Sequence, residues 1–115
     1  MTIRESKNAV LVVDDQPDVR EAMSLLLAGE GYRVLLAADP DEALRMLRDE
    51  SVALVLFDMN YSRDTTSGRE GLALLERMLE REPGVPMVAM TARGSVELAV
   101  EAMQMGAVDV LKKPW

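Results

Sequence analysis

The sequence predicts an α/β domain, a doubly wound sheet of five parallel strands wrapped by helices. Three observations predict it. Short apolar runs of strand length alternate with longer stretches of helical periodicity along the chain. The strand runs are nearly continuous in apolar residues, as expected of strands covered on both faces. The 115 residues, 49% of them hydrophobic, suit one domain with a single core. Aromatics make up only 3%, so that core is built from Val, Leu, Ala and Met, and the nine Met serve as gap-filling residues.

Each element has its own signal. "AVLVV" (Ala9–Val13) is a short run with β-branched content, followed by Asp14 and Asp15. Pro17 suits a first helical turn, and Val19, Met23, Leu26 and Leu27 recur at roughly helical spacing until Gly29 and Gly31. "YRVLLAA" (Tyr32–Ala38) is the second strand. "DPDEALRMLRDE" opens with Asp39 as N-cap, Pro40 in the first turn and Glu42 three residues after the cap; Leu44 and Leu47 form its buried side. "VALVLF" (Val52–Phe57) is the third strand and runs straight into Asp58. "GLALLERMLERE" is a helix with Leu72, Leu75 and Leu79 on one face, broken by Pro83 and Gly84. "PMVAMT" (Pro86–Thr91) is the fourth strand. "SVELAVEAMQMG" is a helix whose expected core stripe is Val96, Ala99, Val100 and Met103, with Gly106 as its C-terminal cap. "VDVLKK" (Val108–Lys113) is the fifth strand. Right-handed crossovers leave few topologies for such a chain.

Composition narrows the chemistry. With no Cys and no His, the chain lacks the commonest general base and any Cys-based metal site. Its net charge of −7 disfavours nucleic acid and anionic membrane as partners. No signal peptide or membrane-spanning run is present, so the expectation is a cytoplasmic domain. In an open parallel sheet, chemistry sits at the carboxyl ends of the strands. There the sequence places Asp14 and Asp15, Asp58, Thr91, and Lys112 and Lys113. Singly, each has a plainer role: a carboxylate turns the chain or caps a helix, and a Lys is solvated. Jointly they say more. If the first and third strands are neighbours, three carboxylates crowd together, and their repulsion calls for a cation or a proton. Oxygen ligands without His or Cys suit a hard ion, Mg²⁺ first. A carboxylate, a Lys and a hydroxyl beside Mg²⁺ make a phosphoryl-transfer site, with the carboxylate as a candidate nucleophile.

"VLVVDDQPDVR", "LVLFDMN" and "VAMTARGSVELAVEAMQMGAVDVLKKPW", at this spacing, strongly resemble the bacterial response-regulator receiver domain, and the likeness covers nearly the whole chain, 1–115. The resemblance implies strand order 2-1-3-4-5 and a sensor histidine kinase as phosphoryl donor. It implies Asp58 as phosphoacceptor and Asp14 and Asp15 as the acid pair, Asp15 being the more direct Mg²⁺ ligand. It also implies the backbone carbonyl of Asn60 as a metal ligand, Thr91 as the switch hydroxyl and Lys113 as the Lys that precedes Pro114; Lys112 takes no role. The domain is then regulatory rather than an enzyme, with self-phosphorylation and self-dephosphorylation only.

Three features depart from the family pattern. "MNYSRDTTSG" lacks the usual Pro and makes a longer path from Asp58 to the next glycine, Gly68. Val110 stands where an aromatic is common, and Trp115 where Phe is usual. The long loop, "GSVELAVEAM" and "KPW" together resemble receivers joined to AAA+ activators of NtrC type, which implies a transcriptional output domain. A fifth helix, expected of the family after the fifth strand, is missing from this chain. The expectation is therefore an N-terminal piece of a longer regulator. Apolar residues of the first strand, fifth strand and first helix would be left partly open, or covered by a second copy in a homodimer. Two other functions compete. A haloacid-dehalogenase-type phosphatase or phosphotransferase also uses an aspartyl nucleophile, but it wants a second acid where Asn60 stands. A receiver-like docking module without phosphorylation would not need the full polar set.

Overall fold

A computed structural model of the chain describes residues 9–59, 69–91 and 96–112. The elements alternate as β1 (Ala9–Val13), α1 (Pro17–Gly29), β2 (Arg33–Ala37), α2 (Pro40–Asp49), β3 (Val52–Asp58), α3 (Arg69–Arg81), β4 (Met87–Thr91), α4 (Val96–Met105) and β5 (Asp109–Lys112). The five strands form one sheet in the order β2-β1-β3-β4-β5. Every pairing is parallel.

The apolar runs dictate that arrangement. Successive residues of a strand face opposite sides, so an all-apolar strand needs cover on both. Leu11 and Val13 of β1, Val55 and Phe57 of β3, and Met87 and Ala89 of β4 join one core with Leu44 and Leu47 of α2, Leu75 and Met78 of α3, and Ala102 of α4. Val10, Val12, Leu56, Val88 and Met90 face the other way and pack with Met23 of α1, flanked by Val19 and Leu27. α2 starts as expected: the Asp39 carboxylate accepts the Glu42 N–H at 2.9 Å, and Pro40 opens the helix. The Glu42 side chain reaches back one residue further than a capping box requires, accepting the Ala38 N–H at 2.7 Å.

Two expectations are corrected. The first strand is closed, not partly open: all of β1 is buried. In α1, by contrast, apolar residues are left open as expected, Leu26 at 56% and its neighbour Leu25 at 72%. In α4, the stripe expected in the core points outward, with Val96, Val100 and Met103 all exposed. The side of α4 that meets the core instead carries Ala102, with Leu98 packed at its margin. Periodicity shows that apolar residues share a face, but not that this face is the buried one. In β5, Leu111 is exposed, as expected. Among the described residues no helix is long and apolar enough to cross a membrane.

Candidate functional site

The site stands where β1, β3 and β4 end. Val13 of β1 pairs with Phe57 of β3, so the next residues, Asp14 and Asp58, come side by side at the sheet edge. Asp14 is fully buried and Asp58 is 1% exposed, whereas Asp15 is half-buried. One carboxylate oxygen from each of the three lies within 4.8 Å of the others. Like charges about 4 Å apart repel by roughly 4 kcal/mol at an effective dielectric constant of 20. Against that cost, an all-oxygen donor set with two of its three members buried fits a hard divalent cation.

The loop after β1 is built around Asp14. Its Oδ1 accepts the Gln16 N–H at 2.9 Å, turning the chain toward α1. Its own N–H donates to the Ala37 carbonyl of β2 at 3.1 Å. Its carbonyl accepts a hydrogen bond from Arg20 Nη1 at 2.7 Å. Gln16, the N-cap of α1, makes no capping bond with its side chain, so Asp14 fastens the helix start instead. Arg20 was not among the residues singled out from sequence. The one available signal is its position in the second turn of a helix opened by Pro17, which lets a long side chain fold back over the preceding loop.

On the far side, Asp58 pairs with Met90 of β4, and Thr91 follows one step on, 4% exposed. The ladder runs past Asp58, because the Met59 N–H donates to the Met90 carbonyl at 2.9 Å. Gly71, in the first turn of α3, lies directly on this segment. A β-carbon there would come within 2.6 Å of Met59 Cα and 2.7 Å of its carbonyl oxygen. Gly71 thus packs against the end of β3; Gly68 lies outside the described residues. Lys112 pairs with Thr91 on β5 and is exposed. Asn60 and Lys113 lie outside the described residues. Of the expected set, then, Asp14, Asp15 and Asp58 come together, with Thr91 on the adjoining strand end.

The family model of the response regulator receiver domain matches residues 10–115. The chain belongs to this family. The receiver is 35% identical over 106 residues to a putative response regulator NtrX-like of Rickettsia bellii, across 92% of this chain and 22% of that protein. It is 36% identical over 110 residues to the transcriptional regulatory protein FixJ of Bradyrhizobium diazoefficiens, across 96% of this chain and 51% of FixJ. It thus spans between about a fifth and a half of these curated relatives. The crystal structure of the receiver domain of NtrX from Brucella abortus superposes with a TM-score of 0.83 at 35% identity, covering 92% of this chain and 86% of that one. These matches agree with the fold class and with the resemblance to regulators of NtrC type. They favour a two-component receiver over both the phosphatase and the docking-module readings.

Proposed function

We propose that the receiver is a phosphoacceptor switch in which Asp58 takes a phosphoryl group from the phosphohistidine of a sensor kinase. A carboxylate oxygen of Asp58 attacks phosphorus, the P–N bond to the donor imidazole breaks, and the imidazole leaves with the electron pair and takes up a proton. Asp14, Asp15, Asp58 and the backbone carbonyl of Asn60 would hold Mg²⁺, with Asp15 the more direct ligand of the acid pair. The ion, when bound, offsets negative charge on the phosphoryl oxygens. The Lys113 ammonium adds a second positive charge toward those oxygens, and the Thr91 hydroxyl donates a hydrogen bond to one of them. Drawing Thr91 inward biases the segment that follows it toward a second conformation, with Val110 facing that movement in place of an aromatic ring. Hydrolysis of the acyl phosphate returns the domain to its starting state.

The observation that carries this reading is the cluster of three carboxylates at the ends of β1 and β3, with Asp14 and Asp58 almost fully buried. The wider reading places the domain, 1–115, at the N-terminus of a longer cytoplasmic regulator. The downstream output domain is transcriptional and of AAA+ type, and a homodimer is one assembly open to it. The net charge of −7 fits a domain that touches neither nucleic acid nor membrane itself. Incubation with Mg²⁺ and acetyl phosphate, followed by intact mass measurement, tests the core of it. The parent should gain one phosphoryl group and Asp58→Asn none, with the same circular dichroism spectrum. Undiminished labelling of Asp58→Asn would overturn the assignment.

A further inference from the structure

We infer that Arg20 is a positioning residue for the acidic site: its guanidinium fixes the backbone on which Asp14 and Asp15 stand, and so sets the divalent-cation affinity of the cluster. This rests on the metal reading above. Asp14 has no exposed surface, and its contacts include its N–H to the Ala37 carbonyl, its Oδ1 to the Gln16 N–H and its carbonyl to Arg20 Nη1. The first of these ties it to β2, and the other two tie it to the start of α1. Of the two ties to α1, the Arg20 bond is the shorter, at 2.7 Å, and its donor carries full charge. The Gln16 side chain makes no capping bond at the start of α1, so the N-cap residue itself does not fasten the loop to the helix. Asp15 is the next residue along the chain, so a shift of the Asp14 carbonyl and the peptide that follows it moves the backbone from which the Asp15 carboxylate reaches the cluster.

Charge and position act in opposite directions here, which makes the inference testable by sign. A cation near three carboxylates competes with Mg²⁺ for them, so deleting its charge alone strengthens ion binding. Releasing the loop weakens ion binding, because the ligands must then be ordered when the ion arrives. If position dominates, Arg20→Met, which keeps an unbranched stem but no donor, binds Mg²⁺ about tenfold more weakly, the scale of one charge-assisted hydrogen bond. Arg20→Lys restores part of that loss.

The experiment is a Mg²⁺ titration of the parent, Arg20→Met and Arg20→Lys, followed by the amide resonances of Asp14, Asp15 and Gln16 without phosphoryl donor. Metal-free thermal melting of the same samples reports folding. Weaker binding in Arg20→Met with shifted Asp15 and Gln16 amides, partial recovery in Arg20→Lys, and cooperative melts that lie well above the titration temperature are the expected result. Equal or tighter binding in Arg20→Met overturns the inference while leaving the metal reading standing. A parent that binds no Mg²⁺ removes the metal reading and this inference with it. If Arg20→Met fails to fold, Arg20→Lys decides: it must fold and bind more weakly than the parent, and parent-like binding counts against a role for the guanidinium's fixed geometry.

Discussion

Asp15 and Asp14 are adjacent in sequence and unequal in structure. Asp14 is fully buried and its carboxylate shapes the loop by accepting the Gln16 N–H. Asp15 is half-buried and contributes its charge to the cluster. Neutralising Asp15 removes a ligand but also relieves repulsion between carboxylates. Asp15→Asn should therefore bind Mg²⁺ much more weakly while its metal-free form melts at the parent's temperature or above; titration and melting of the same sample check both halves. Asp14→Ala should differ, losing about 1 kcal/mol of stability because the part-buried Gln16 N–H loses its acceptor, which urea unfolding would measure. The acids were legible in the sequence because strand ends are where a parallel sheet gathers polar groups. Arg20 was not, because a long side chain folding back from a helix leaves no periodic trace.

At the level of elements, close contact decides what propensity does not. In a helix interior, Ala is preferred to Gly by about 1 kcal/mol. At Gly71 an added methyl would meet Met59 backbone at 2.6 Å, and backbone at the end of a central strand has little room to give. Gly71→Ala should therefore destabilise the domain by about 1–3 kcal/mol, the cost of overpacking, in spite of its better propensity. A gain in stability on urea unfolding would show that α3 slides away freely. The outward stripe of α4 allows a paired comparison. Met103→Gln, at a residue 46% exposed, should change stability by less than about 0.5 kcal/mol. Ala102→Leu, at a residue with no exposed surface, should cost about 1–3 kcal/mol. All the elements could be read in order, because apolar runs and helical periods alternate without interruption. The orientation of α4 could not, because its inner face is marked by the small Ala102 while its larger apolar residues, Val96, Val100 and Met103, stand outside.

For the whole molecule, ligand binding and stability are linked. An ion that binds only the folded cluster stabilises the fold by about 2.7 kcal/mol at a concentration one hundred times its dissociation constant. In a domain of this size that should raise the melting temperature by about 10 °C. Asp15→Asn should lose most of that rise, and scanning calorimetry with and without Mg²⁺ would show it. A parent whose melting temperature ignores Mg²⁺ would contradict an ion held by the native cluster. The Met59 N–H bond to the Met90 carbonyl bears on time as well as on geometry. Because the ladder continues past Asp58, its backbone is hydrogen-bonded into the sheet, and the Met59 amide should exchange its proton with deuterated water as slowly as the central strands do. If Asp58 is the acceptor proposed above, a carboxylate on backbone held that still would leave approach and alignment to the incoming donor, and β3 would not need to move.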